Sequence, residues 1–242
     1  MPPMGYTAAD GTGLPMLVFD PPAGVRPAAG VVLFHGGALR KGSPDDLAGH
    51  CRRLASHGVF AVSAGYRLLG RGAAGIDDCV DDVRRAVERF RALAASRGVT
   101  RPASGGSSAG AHLALVAAMT GPTDGGAVVA FNPAGLDLLA FPADVRRGIE
   151  RNAGIGAGRA SEYSVVELVR PGGPSTLIHH GTADEVEPID HVRRFRDAMT
   201  RAGNPCTLIE YGNARHAFHY GDEHLADVVD ATARFLLDLA VR

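Results

Sequence analysis

Five short apolar runs constrain this chain more than any other feature: VVLF (31–34), VFAVSA (59–64), AVVAF (127–131), STLIHH (175–180) and CTLIEY (206–211). Most are apolar on both parities, so both faces of each strand must be covered, as in a parallel sheet layered between helices. The stretches between them supply the covers. Ile76, Val80, Val83, Val87 and Phe90 step by 4, 3, 4 and 3, one apolar stripe along a helix that carries Asp77 and Asp78 early and arginines later, in the order the helix dipole favours. Ser43-Pro44-Asp45-Asp46 reads as an N-cap, a proline at the first helical position and first-turn acids, opening a helix to about Ser56. Pro188 opens another with Ile189, Val192, Phe195 and Met199 inward, and Leu225, Val228, Val229, Phe235, Leu236 and Leu239 mark the last. Strands alternating with helices imply right-handed crossovers and a mostly parallel central sheet with helices on both faces, an α/β fold. The chain, 242 residues with 45% apolar, suits one domain over residues 1–242, with the Gly- and Arg-rich, poorly periodic stretch 133–170 as a small lid above the sheet.

Composition removes several function classes. A formal charge of −1 with scattered charges gives no basic stripe for nucleic acid. No apolar run approaches the ~18 residues of a membrane helix. MPPMGYTAADGTG lacks a basic region followed by an apolar one, so a secretory signal is not expected and the expected location is cytoplasmic. Cys51, Cys79 and Cys206 are odd in number and widely spaced, which reads as small buried residues, not as a disulfide framework or a zinc site.

The chemistry begins at GGSSAG (105–110). Its G-x-S-x-G frame fits one alignment, Gly106-Ser107-Ser108-Ala109-Gly110, with Ser108 central. A nucleophile on a sharp strand-to-helix turn sits in a strained conformation, and glycines two residues either side relieve the crowding. AHLALVAAM (111–119) supplies the following helix, whose N-terminal amides face the serine. The preceding strand is the difficulty. TRPAS (100–104) is not apolar and Pro102 removes a ladder donor, so this strand is expected to be short and weakly paired.

A serine hydroxyl needs a base, the base an orienting acid, and the developing oxyanion needs donors. VVLF runs into His35-Gly36-Gly37-Ala38, a loop whose backbone can approach a ligand and whose amides, with that of Ala109, suit an oxyanion hole. STLIHH runs into Gly181-Thr182-Ala183-Asp184, where Asp184 is the favoured acid and Glu185 or Glu187 the substitutes. CTLIEY runs into Gly212-Asn213-Ala214-Arg215-His216, where His216 is the favoured base and His219 the alternative. His179 and His180 read as hydrogen-bonded core residues, His112 as locally bonded, and His50, His57, His191 and His224 as solvated helix positions. No cofactor is called for and no metal-ligand spacing is present.

The motifs FHGGALRKGS (34–43), GYRL (65–68), GGSSAGAHLAL (105–115), HHGTADEVEP (179–188) and GNARHAF (212–218) resemble the α/β-hydrolases, specifically their hormone-sensitive-lipase-like and small acetyl-esterase branch. The resemblance covers the chain from about residue 28. It implies an α/β-hydrolase fold with Ser108 as nucleophile, His216 as base and Asp184 as acid. Gly37, Ala38 and Ala109 would donate to the oxyanion, with Gly36 permitting the loop path. Two departures stand out: Ala38 replaces a third glycine, and Gly65 replaces an aspartate of structural role. The implied reaction is hydrolysis of small to medium acyl esters through an acyl-enzyme. Phe131, Leu138, Leu139, Phe141 and Phe218 would line an apolar substrate pocket, and Arg215 reads as a surface residue that could meet a substrate carboxylate. The same residues could serve an arylformamidase, a lactonase or a biosynthetic tailoring hydrolase or cyclase, and a non-catalytic ligand-binding module is a further reading. The partner expected is a small-molecule ester, amide or lactone, and the oligomeric state, a homodimer included, is left open.

Overall fold

The computed structural model describes residues 4–122 and 126–241. The strands are β1 (Gly5–Thr7), β2 (Gly13–Phe19), β3 (Ala29–Phe34), β4 (Val59–Ala64), β5 (Leu68–Leu69), β6 (Gly72–Ala73), β7 (Ala103–Ser107), β8 (Ala127–Phe131), β9 (Ser175–Gly181) and β10 (Cys206–Tyr211). The helices are α1 (Ala48–Ser56), α2 (Ile76–Ala95), α3 (Ala109–Thr120), α4 (Ala143–Ala153), α5 (Ala160–Tyr163), α6 (Ile189–Arg201) and α7 (Asp222–Ala240). Eight strands form one sheet in the order β1-β2-β4-β3-β7-β8-β9-β10. It is parallel from β4 to β10, and β2 joins β4 and β1 antiparallel.

Period-2 alternation divides the core. Val32 and Phe34 pack on one face with Val80, Val83 and Phe90 of α2, Leu113 of α3 and Phe195 of α6. Val31 and Leu33 pack on the other with Cys51 and Leu54 of α1 and Val228 and Leu236 of α7. α3 is apolar all round because it is buried all round, with ten of its twelve residues out of solvent. Arg67 lies in the core because Asp82 on α2 meets its guanidinium and its backbone N–H at 2.9 Å.

Ser43 behaves as its sequence implies. Its hydroxyl accepts from the Asp45 N–H and its own N–H donates to Asp46 Oδ2, each at 3.2 Å, opening a 3₁₀ turn (Pro44–Leu47) that runs into α1. Ser43→Ala is expected to cost about 1 kcal/mol in urea unfolding, with activity per folded molecule unchanged.

The strand before the elbow corrects the sequence expectation. β7 is Ala103–Ser107, so the glycine pair lies inside it, and it is fully buried and paired on both sides, with Phe34 opposite Gly106 and Ser107 opposite Phe131. It is central, not weakly paired. Its residues are small because its neighbours leave no room: a Cβ at Gly105 would stand 2.1 Å from the Val129 carbonyl oxygen. Pro102 ends just before the ladder begins. The register brings the carboxyl ends of β3, β7, β8, β9 and β10 to one edge, where an open α/β sheet collects its functional loops.

The 133–170 stretch is more ordered than its sequence suggests. It holds α4, α5 and two short 3₁₀ turns, Leu138–Ala140 and Val165–Leu168. Asp137 pairs with Arg194 on α6, and Arg159 with Asp77 on α2, where the Tyr163 hydroxyl also donates.

Candidate active site

Ser108 occupies the turn between β7 and α3 with φ 49° and ψ −115°, a conformation that side chains other than glycine rarely adopt. The flanking glycines are enforced by the end of β3. A Cβ at Gly106 or Gly110 would come within 2.3 or 2.2 Å of the Phe34 carbonyl oxygen. The elbow is pinned through its own backbone: the Ser108 N–H donates to Phe131 O, and its carbonyl accepts from His112 and, more distantly, Ala134.

His216 Nε2 stands 2.8 Å from Ser108 Oγ, and His216 Nδ1 stands 2.8 Å from Asp184 Oδ2. With Nδ1 donating to the carboxylate, the neutral ring turns its Nε2 lone pair toward the serine. The other Asp184 oxygen accepts the N–H groups of Val186 and Glu187 at 2.8 and 3.1 Å. Burial by itself would raise the Asp184 carboxyl, but the hydrogen bond and charge of His216 and the two backbone donors outweigh it and hold the group below its ordinary range. Of the alternative acids, Glu185 is exposed. Glu187 is buried and occupied: it accepts from Gly135 N at 2.7 Å and lies 3.1 Å from His191 Nδ1, fastening the 133–170 stretch to the floor of the site.

Gly37 opens the opposite loop. Its φ is 107°, and a Cβ there would stand 2.1 Å from the Lys41 carbonyl oxygen. Ala38 and Leu39 follow, also at positive φ. Gly36 passes close under Ser108, where a Cβ would lie 3.3 Å from that of the serine. Among the described residues, the N–H groups of Gly37, Ala38 and Ala109 donate to no backbone group outside their own elements, so they are free for a ligand.

A cavity of about 300 Å³ opens at Ser108. Its walls are mainly apolar, with Leu39, Leu138, Phe141, Ile149 and Ile155 among them, and Ala38 and Ala109 bring the two loops to it. Leu138 and Phe141 are among its lining residues, and three other residues expected to line a substrate pocket lie elsewhere. Phe131 is fully buried on the α1/α7 face, where the alternation of β8 points it. Phe218 packs on Tyr211 on that same face. Leu139 is 40% exposed outside the cavity. Arg215 is exposed and lies outside the lining.

The histidines divide differently from expectation. His179 bonds Tyr211 and Thr232 within the core, and His180 donates to the Glu187 carbonyl. His112 reaches Tyr163 O, far along the chain, and borders the cavity. His50 and His191 are buried, not solvated. The spacing Leu47, His50, Cys51, Leu54 puts His50 on the apolar stripe of its helix, a signal the sequence carried. Asn132 has no such signal. It is fully buried at φ 36°, its Nδ2 lies 3.4 Å from His216 Nε2, and among the described residues its Oδ1 has no partner. Among the described residues, no group of three or more His, Cys, Asp or Glu side chains could hold a metal ion, and no helix is long and apolar enough to cross a membrane.

A layered parallel sheet with a strained serine at its carboxyl edge, a histidine and a buried aspartate in line with it, and free amides opposite define an α/β-hydrolase of the serine-hydrolase type. The BD-FAE family model matches residues 16–133. Solved structures of esterase 2 from the planctomycete Thermogutta terrifontis match almost the whole chain. Its propionate-bound form is 27% identical, with 98% of this chain and 93% of that chain covered and a TM-score of 0.83. Its butyrate-bound form is 28% identical over 98% and 93%, with a TM-score of 0.84. The same esterase phosphonylated by sarin gives 27% identity over 98% and 94%, with a TM-score of 0.85. No curated protein sequence matches. The chain has the α/β-hydrolase fold, and its likeness to these esterases supports a serine hydrolase of the carboxylesterase type.

Proposed function

We propose that the protein hydrolyses carboxylic esters of small to medium acyl groups, with Ser108 as nucleophile, His216 as general base and acid, and Asp184 as the group that orients and stabilises the imidazole. The observation that carries this reading is the hydrogen-bonded line Ser108–His216–Asp184, its two links each 2.8 Å, at the mouth of the apolar cavity.

Ser108 Oγ attacks the ester carbonyl as its proton passes to His216 Nε2. The imidazolium that forms faces the Asp184 carboxylate, which keeps its charge. The carbonyl oxygen becomes an oxyanion between the N–H groups of Gly37 and Ala38 on one loop and Ala109 at the start of α3. Collapse expels the alcohol, which takes the proton from His216 and leaves an acyl group on Ser108. Water, deprotonated by His216, repeats the addition and releases the acid. These donors are fixed by the fold before substrate arrives, so aligning them costs little during reaction. A cavity of about 300 Å³ with apolar walls suits short and medium acyl chains better than long ones, and propionate and butyrate bound to the Thermogutta esterase are ligands of that size class.

The test is a series of p-nitrophenyl esters from acetate to palmitate. We expect kcat/KM to be highest for the short and medium acyl groups and to fall by about 10²-fold or more for the longest, which exceed the pocket. Turnover of amides or lactones with no ester of the series hydrolysed would overturn the ester reading.

A further inference from the structure

His216 is not the only histidine its loop delivers to the elbow. Three residues on, His219 turns inward from a 3₁₀ turn (Phe218–Tyr220) and places Nε2 2.9 Å from the hydroxyl of Ser107, the residue before the proposed nucleophile. His219 Nδ1 stands 2.9 Å from Nε2 of His50 on α1. Two adjacent serines thus each meet a histidine of one loop. Ser108 of the outer pair lines the cavity, and the inner pair is enclosed, with Ser107, His219 and His50 all at 2% exposure or less.

The proposed chemistry does not use the inner line. No substrate reaches a hydroxyl so buried, and His219 has an imidazole behind it where His216 has a carboxylate. A neutral imidazole donates through one nitrogen and accepts through the other, so Ser107, His219 and His50 can form a continuous chain of hydrogen bonds without any charge. Desolvation on burial keeps both rings neutral, lowering His50 to about 4 and His219 well below its ordinary value. Phe131 backs the chain, its ring centroid 5.2 Å from that of His219 and 5.4 Å from that of His50.

The chain lies among strained positions. Ser108, at φ 49°, adjoins Ser107, and Ala217, at φ 66°, lies between His216 and His219. Non-glycine residues in such conformations persist only where their surroundings over-determine them. Here the inner line connects the elbow, the loop bearing His216 and helix α1.

We propose that His219 is a positioning residue: by tying the His216 loop to Ser107 on one side and to α1 through His50 on the other, it holds His216 Nε2 in line with Ser108 Oγ. The proposal rests on Ser108 and His216 being nucleophile and base. The measurement is kcat per active site, with sites counted by titration with a fluorophosphonate, so that loss of folded enzyme is separated from loss of alignment. His219→Leu is expected to lower kcat per titrated site by about 10²-fold, the usual cost of misplacing reacting groups by about an ångström, with KM held within about 3-fold. The fluorophosphonate labelling rate should fall in parallel. His219→Gln, whose amide can still donate to Ser107, should recover at least about 10-fold of the loss. A kcat per site within about 3-fold of wild type in His219→Leu, a loss confined to KM, or a glutamine variant no better than leucine would each overturn the proposal. If His219→Leu yields no folded protein, Ser107→Ala decides, since it removes only the hydroxyl at the end of the chain. A fall of about 10-fold upholds the role, and an unchanged kcat overturns it. Retained activity in Ser108→Ala would instead strike the nucleophile assignment on which the proposal stands.

Discussion

Replacing Ser108 by alanine is expected to lower kcat for a short-chain ester by about 10⁶-fold, with KM little changed and the fold intact. The size of the effect follows from the geometry. His216 and Asp184 act only through the serine, so removing it idles all three at once. What survives is the background supplied by the amides of Gly37, Ala38 and Ala109, about 10³–10⁴ over water in comparable sites. Alanine adds no bulk at the elbow and keeps its Cβ, so any structural cost comes from the φ of 49° that alanine must still accept. Far-ultraviolet circular dichroism alongside a fluorophosphonate label separates the two effects: the variant should fold and should not label. Equal labelling of wild type and Ser108→Ala would move the nucleophile elsewhere, and Ser107, one residue away but 1% exposed, could take that place only if the elbow opened.

The fold was legible because the sequence repeats one unit. Runs such as VVLF and AVVAF are apolar on both parities and are separated by amphipathic helices, a pattern that leaves few arrangements other than a covered parallel sheet. What was missed has local causes. β2 does carry a short apolar run, Met16–Phe19, but Pro15 stands directly before it inside the strand and only Met16 is fully buried, so the run reads weakly as a strand, and its pairing with β4 comes from the sheet edge it completes. β7 was hidden for the opposite reason: deep burial between β3 and β8 selects Ala, Ser and Gly, which carry no strand propensity. α4 was hidden because none of its residues is buried, so Arg146, Arg147, Gly148 and Arg151 mask the few apolar positions that border the cavity. At the site, sequence could locate groups that follow strand ends, namely the HGG loop, Ser108, Asp184 and His216, because loop position after a parallel strand is a topological property. It could not reveal Glu187 as the fastener of the 133–170 stretch, Asn132 beside His216, or the line from Ser107 to His50, since these depend on which way a side chain turns after the chain has folded.

Stability is expected to fall steeply as pH drops below about 6.5, well before most carboxylates titrate. The cause is a population of histidines that burial keeps neutral. Desolvation lowers His50 to about 4 and His179 to about 3, lowers His219 well below its ordinary value, and also lowers His35, His112 and His180. In the unfolded chain these rings take up protons near pH 6.5, whereas in the folded protein they do not, so acid favours the unfolded state. The contribution of each is complete above the unfolded value and is lost as pH falls toward the folded one. For His50 that window runs from about 6.5 to about 4, and at about 1.4 kcal/mol per pH unit its share is roughly 3 kcal/mol. Asp184, held below its ordinary range by His216 and backbone donors, adds a loss of the same sign at lower pH. Urea unfolding between pH 7.5 and 5 should therefore show stability falling by several kcal/mol, with about three or more protons taken up per molecule unfolded. His50→Asn should flatten that slope by about one proton, because an amide in place of the ring cannot titrate. A stability curve level across this range would mean that the buried imidazoles are solvated or protonated in the folded enzyme, and the neutral chain from Ser107 through His219 to His50 could not then exist as drawn.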